Sequence, residues 1–262
     1  MKIHDFVNKK KNQQKISMIT CYDYPSARLI SQSNIDCVLV GDSVAMAVHG
    51  HDSTIMATME MMTLHTAAVA RGLKDQFLVS DLPFLSNHIS SKHTMQCARG
   101  LLQAGAHALK LENADTMICD TIKNLVRAGV PIMGHIGLTP QSVHQLGGYR
   151  VQGKTTAQAA SLLEQAHALQ DAGCFALVIE CTPAAVAKTI SDALTIPVIG
   201  IGAGAQTDGQ VLVWHDALGL QSDFKPRFVK TFLNSSEHCL NAINQYVAEV
   251  QQQTFPGPEH QY

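Results

Sequence analysis

Residues 104–112 read AGAHALKLE, and the same grammar returns in AGVPIMGH at 128–135 and AGCFALVIE at 172–180. Each stretch begins with an Ala-Gly pair suited to a helix end, where glycine supplies the left-handed position just past the last turn. A strand-sized apolar run follows at once and stops at a polar residue, in turn Glu112, His135 and Glu180. Working outward, ISMITC runs towards Asp23, CVLVG into Asp42, FLVS into Asp81, and VLVW with its continuation into Asp216. The intervening stretches read as helices: SSKHTMQCARGLLQ after a Ser90/Ser91 cap, ADTMICDTIKNLVR, and TTAQAASLLEQAHALQ after a Thr155/Thr156 cap. Near-continuous apolar strands alternating with amphipathic helices indicate a parallel sheet covered on both faces or closed on itself.

Eight candidate strands, near 16–21, 37–41, 77–81, 107–112, 131–135, 175–180, 197–201 and 211–219, favour closure into a (βα)8 barrel. A doubly wound open sheet is the competing arrangement. A chain of 262 residues with 46% hydrophobic content matches the roughly 250 residues of one such barrel. No Pro-, Ser- or Gly-rich linker interrupts it, so a single domain is expected over 1–262. A short N-terminal extension precedes the barrel, the segment from about Pro226 to Gln253 reads as a C-terminal helical region, and the tail TFPGPEHQY is expected to be loosely held.

Composition narrows the function. A formal charge of −2 without a basic stripe argues against a nucleic-acid surface. The charge run Lys9-Lys10-Lys11 reads as a solvated face. No apolar run approaches the ~18 residues of a membrane span, and MKIHDFVNKKKNQQK lacks the apolar core of a signal peptide. Seven cysteines, none in a C-x-x-C pair, suit reduced and mostly buried thiols. A cytoplasmic protein is expected.

In a parallel barrel the C-terminal strand ends share one mouth, where the βα loops build the active site. Asp42, Asp81 and Glu112 end three successive strands and together offer hard oxygen ligands to one ion such as Mg²⁺, whose remaining positions a chelating substrate would fill. Lys110 precedes Glu112 by two, so both share one strand face, and an inward lysine can clamp a substrate carboxylate. The opposite phase would put Lys110 outside, snorkelling past a helix. Glu180 ends the most apolar strand, where desolvation would favour a general base. It can equally pair with a lysine or cap the helix beginning near Thr182-Pro183. His135 can polarise a carbonyl or hydrogen-bond a substrate, or be a structural group. The histidines show no zinc-type spacing. The IGAG segment at 201–204 suits a tight turn better than dinucleotide binding, because it lacks the G-x-G-x-x-G form and its acidic partner.

Read together, VGDSVAMAVHGHDST, SDLPF, ALKLE, GHIGLTPQS with GGYRVQGK, LVIEC, and PVIGIGAGAQTDGQVLVWHDALGL closely resemble the ketopantoate hydroxymethyltransferase family over about residues 3 to 258. The resemblance implies a (βα)8 barrel of the phosphoenolpyruvate/pyruvate type. It also implies transfer of a one-carbon unit from 5,10-methylenetetrahydrofolate to 3-methyl-2-oxobutanoate, in the pantothenate branch leading to coenzyme A, by a homodecamer. Residue by residue, it places Mg²⁺ ligands at Asp42, Asp81 and Glu112, substrate contacts at Asp42, Ser43, Asp81 and Lys110, and the proton acceptor at Glu180. Two positions depart from the family pattern: Asn113-Ala114, where a Gly-Gly pair is common, and Val44-Ala45, where Leu-Gly is frequent. The first bears on the loop beside Glu112.

Overall fold

The computed structural model describes residues 1–220 and 226–262. Among them, eight parallel strands close into one barrel in chain order: β1 (Ile16–Thr20), β2 (Cys37–Val40), β3 (Phe77–Asp81), β4 (Ala108–Glu112), β5 (Ile132–Gly137), β6 (Ala176–Glu180), β7 (Val198–Ile201) and β8 (Gly209–Leu212). The helices are α1 (Ile3–Lys11), α2 (Tyr24–Ile30), α3 (Val44–Ala47), α4 (Met59–Gly72), α5 (Ser91–Gln103), α6 (Thr116–Arg127), α7 (Thr156–Asp171), α8 (Ala184–Ala193), α9 (Trp214–Leu218) and α10 (Ser235–Gln251). Helix starts follow the side chains available. Ser90 caps α5, Asp115 caps α6, and Thr155 caps α7 in a reciprocal pair with Gln158. The three Ala-Gly joints behave as read, with Gly105, Gly129 and Gly173 at φ of 111°, 88° and 101° immediately after α5, α6 and α7.

Strand alternation fills the barrel. Ile16 and Met18, Cys37 and Leu39, Phe77 and Val79, Ala108, Met133, Ala176 and Val178, Ile199 and Val211 meet in one buried apolar cluster. Continuing each strand by two residues on the same face leads from this cluster to Thr20, Asp81, Lys110 with Glu112, His135 and Glu180. Oil therefore gives way to polar side chains towards the C-terminal strand ends, where barrel enzymes hold their active sites.

The opposite end is stoppered by α1. Phe6 is fully buried against Phe77 and Phe175, with ring centroids 5.2 and 5.0 Å away in edge-on geometry. The lysine run beside it is not simply a solvated face. Lys9 Nζ pairs with Asp36 at 2.5 Å and Lys10 Nζ with Asp208 at 2.7 Å, while Lys11 stays exposed. An amphipathic helix that inserts one aromatic brings its flanking ammonium groups down onto the rim.

The strand expected over 211–219 is shorter and starts earlier. β8 runs only Gly209–Leu212, because its ladder with β1 spans Ile16↔Gly209 to Ile19↔Leu212, and Trp214–Leu218 is helical. The chain divides into two compact units, Met1–Leu212 and Val213–Tyr262. In the second, the Ala217 carbonyl accepts from the Phe232 amide at 2.7 Å, and α10 buries none of its residues. The tail is held rather than loose: Phe255 packs edge-on against Tyr246 at 5.6 Å and, with its ring tilted, against His260 at 5.3 Å. All seven thiols are free, five of them buried. Among the described residues no helix is long and apolar enough to cross a membrane.

Candidate active site

Register decides which polar groups become neighbours. Asp81 stands opposite Lys110 across β3–β4, Glu112 opposite His135 across β4–β5, and Gly137 opposite Glu180 across β5–β6. Lys110 points inward, 5% exposed, with Nζ 3.1 Å from Asp81 Oδ1 and 4.0 Å from Glu112 Oε1. The outward, snorkelling phase is thereby excluded.

His135 Nδ1 lies 3.2 Å from Glu112 Oε1 and 3.3 Å from Lys110 Nζ. An ammonium only donates, so the productive bond of a protonated Nδ1 is to the Glu112 carboxylate. Its Nε2 faces Glu180 Oε2 at 3.3 Å. Burial and the Lys110 charge oppose protonation of this imidazole, but the two carboxylates outweigh them and lift its pKa to about 9. Glu180, the last residue of β6, is the least buried of these acids, its side chain 17% exposed. Gly137, at φ 91°, is what allows the closeness of β5 and β6 here: a Cβ would sit 2.3 Å from the Glu180 carbonyl.

Asp42 follows β2 and is 4% exposed. Its backbone N–H donates to Asp81 Oδ2 at 3.0 Å. Burial, then the Asp81 and Glu112 charges, push its pKa well above the usual carboxylate range. Asp81 is also raised, by burial that Lys110 only partly offsets. Glu112 goes the other way, since His135 and Lys110 together overcome its burial. Ser43 begins the turn into α3, with its hydroxyl 2.8 Å from that of Tyr22.

Sequence reasoning missed Tyr22 and Gln141. Gln141 sits in a short 3₁₀ turn, Pro140–Ser142, just past β5; its amide donates to Asp42 Oδ2 at 2.7 Å and its backbone N–H to Glu112 Oε2 at 3.0 Å. The only available signal was its place in the loop after a strand-end histidine. The departure at Asn113 has a local explanation. It adopts φ 74°, a left-handed conformation that asparagine tolerates, and its side chain bonds Ser142 and Thr139 at 3.2 and 3.3 Å. The IGAG segment makes a turn whose Gly204 carbonyl accepts from Gln210 at 2.8 Å.

The donor set suits a hard divalent cation. Four carboxylates face one ammonium and one imidazolium, and the buried Asp81 Oδ1 has the Lys110 ammonium 3.1 Å away. The three-carboxylate cage read from the sequence is not preformed: among the described residues no three Asp, Glu, His or Cys side chains converge tightly enough to hold an ion as they stand. The Lys110 ammonium lies among them, 3.1 Å from Asp81 Oδ1 and 4.0 Å from Glu112 Oε1. Mg²⁺ needs only one or two direct carboxylates and reaches others through water, so the set still fits it.

A family model described as ketopantoate hydroxymethyltransferase matches residues 1–258. Proteins named 3-methyl-2-oxobutanoate hydroxymethyltransferase are similar over the full length. That of Legionella pneumophila (strain Corby) is 65% identical over 262 residues, all of both chains. That of Francisella tularensis subsp. novicida is 50% identical over 257 residues, 98% of this chain and 97% of that one. Among solved structures, phosphonopyruvate hydrolase superposes with a TM-score of 0.65 at 10% identity, covering 99% of this chain and 90% of that one. A 2,3-dimethylmalate lyase of the PEP mutase/isocitrate lyase superfamily gives 0.61 at 15%, covering 97% and 89%. At such identities these two likenesses establish the fold alone.

Proposed function

The chain belongs to the ketopantoate hydroxymethyltransferase family, and from that premise we propose that it converts 3-methyl-2-oxobutanoate, 5,10-methylenetetrahydrofolate and water to 2-dehydropantoate and tetrahydrofolate. The reaction belongs to the pantothenate branch leading to coenzyme A, and the cytoplasm is its proposed location. The observation that carries the reading is the polar layer at the barrel mouth, where Asp42, Asp81, Lys110, Glu112, His135 and Glu180 arrive from five consecutive βα units.

The residues divide the work by charge and exposure. Lys110, buried and positive, pairs with the substrate carboxylate, and Asp42, Ser43 and Asp81 line the same pocket wall. Glu180, the acid most open to the mouth, takes the proton from C3 of the oxoacid. His135 holds that carboxylate in place through Nε2, while Glu112 fixes the imidazole through Nδ1, and its protonated ring helps to stabilise negative charge on the keto oxygen. When held by Asp42, Asp81 and Glu112, Mg²⁺ supplies a further positive centre for that developing charge. The C3 electron pair then forms a bond to the folate-borne methylene carbon as one of that carbon's two C–N bonds breaks and its nitrogen takes a proton. Water replaces the second nitrogen, leaving its hydroxyl on the carbon and its proton on the nitrogen, and tetrahydrofolate departs. Self-association into a homodecamer is part of the reading. The exposed Leu240, Ile243, Val247 and Val250 of α10 offer apolar surface that assembly can cover.

Purified protein incubated with Mg²⁺, 3-methyl-2-oxobutanoate and methylenetetrahydrofolate should form 2-dehydropantoate and tetrahydrofolate in equal amounts, and chelation of the metal should stop it. Product formation without the folate, or none with every component present, overturns the proposal.

A further inference from the structure

The GHIGLTPQS segment contributes His135, but the polar residue at its far end has no part in the chemistry above. Gln141 is 8% exposed, and both N–H bonds of its side-chain amide are committed: one to Asp42 Oδ2 at 2.7 Å, the other to the Leu82 carbonyl at 3.0 Å. Its backbone N–H donates to Glu112 Oε2 at 3.0 Å. One residue thus joins the loops after β2, β3 and β5 to the end of β4, and touches two of the three proposed metal ligands from opposite ends.

Resting on the metal reading given above, we propose that Gln141 is the positioning residue of the divalent-cation site, setting the separation and orientation of Asp42 and Glu112. Charge accounting supports a neutral amide here. Asp81 has Lys110 at 3.1 Å and Glu112 has His135 at 3.2 Å, whereas Gln141 offers Asp42 an uncharged donor. A hydrogen bond from an amide orients the carboxyl group without setting a competing cation against it, as a lysine or arginine would. The turn carrying Gln141 is itself pinned on both sides, because Asn113 at the end of β4 bonds Thr139 and Ser142. Outer partners of this kind typically contribute about 10- to 100-fold to metal affinity.

The test is Mn²⁺ binding to the full chain, read by the electron paramagnetic resonance signal of the free ion, in the wild type, Gln141→Met and Asp42→Asn. Gln141→Met keeps the volume and loses both donors, so Mn²⁺ should bind about 10- to 100-fold more weakly. The activated enzyme should also require proportionally more metal, with kcat at saturating metal falling less than affinity. Should the methionine variant fail to fold, Gln141→Asn keeps an amide that is one methylene too short for Asp42, and the same loss is expected. Wild-type affinity in the Gln141 variant together with weakened binding in Asp42→Asn overturns the positioning role and leaves the metal site standing. Wild-type affinity in both variants, or no binding by the wild type, overturns the metal reading and the positioning role with it.

Discussion

Replacing Glu180 with glutamine removes a proton acceptor while keeping shape and one hydrogen-bond acceptor towards His135. Glu180 Oε2 stands 3.3 Å from His135 Nε2, a contact the glutamine carbonyl oxygen can reproduce, and the imidazole keeps its second partner, Glu112, at 3.2 Å. Ground-state packing should therefore survive, and the change should fall on proton transfer. A positioned general base is worth about 10²- to 10⁴-fold, which at about 1.36 kcal/mol per decade is roughly 2.7–5.4 kcal/mol. The site argues for the lower part of that range: the Glu180 side chain is 17% exposed, so water can reach the C3 proton and take over part of its task. A loss of about 10²- to 10³-fold is expected. The assay needs no folate. The enzyme with Mg²⁺ in D₂O should exchange the C3 hydrogen of 3-methyl-2-oxobutanoate, followed by proton NMR, with oxoacid binding measured alongside by calorimetry. Exchange at the wild-type rate in Glu180→Gln refutes the assignment and makes His135 the next group to test. A loss of binding equal to the loss of exchange refutes it differently, by moving Glu180 from proton transfer to substrate binding.

Three further outcomes follow from the geometry. Lys110→Met should raise the oxoacid KM at least about tenfold while leaving the folate KM near its original value, and should cost about 3–5 kcal/mol in urea denaturation, because Asp81 keeps a buried charge without its partner; equal losses for both substrates count against the carboxylate clamp. Phe6→Ala opens the stopper of the barrel and should lower stability by about 3–5 kcal/mol, with both KM values unchanged in the protein that remains folded. Burial works to raise the Asp36 pKa, but hydrogen bonds from Lys9 and Ser17 outweigh it and hold the carboxyl below its ordinary value. That stabilisation is complete above about pH 3.9 and is lost as pH falls through the depressed pKa. Asp36→Asn should thus be less stable at neutral pH and show a shallower acid limb in a melting-temperature profile; parallel acid limbs would refute it.

Much of the barrel is legible locally. The Ala-Gly joints, the Ser90 and Thr155 caps and the apolar runs ending at Asp81, Glu112 and Glu180 each depend on a few adjacent residues, so their reading survives in the structure. Alternation by two along β4 was enough to put Lys110 and Glu112 on one face. What tertiary structure alone decided is everything set by register and by the paths of loops. β8 stops at Leu212 because its pairing with β1 ends there, although the apolar run continues to Trp214. Lys9 and Lys10 read as a solvated patch until α1 caps the barrel and delivers them to Asp36 and Asp208, 27 and 198 residues away in sequence. Gln141 reaches Asp42 across 99 residues, and nothing near either position encodes the meeting. The same holds for the acids themselves. Their place at the mouth follows from strand-end position, which is a local property, but which of them is neutralised depends on where Lys110 and His135 come to rest. Coulomb interactions and desolvation depend on distances in space, and only closure of the barrel sets those distances.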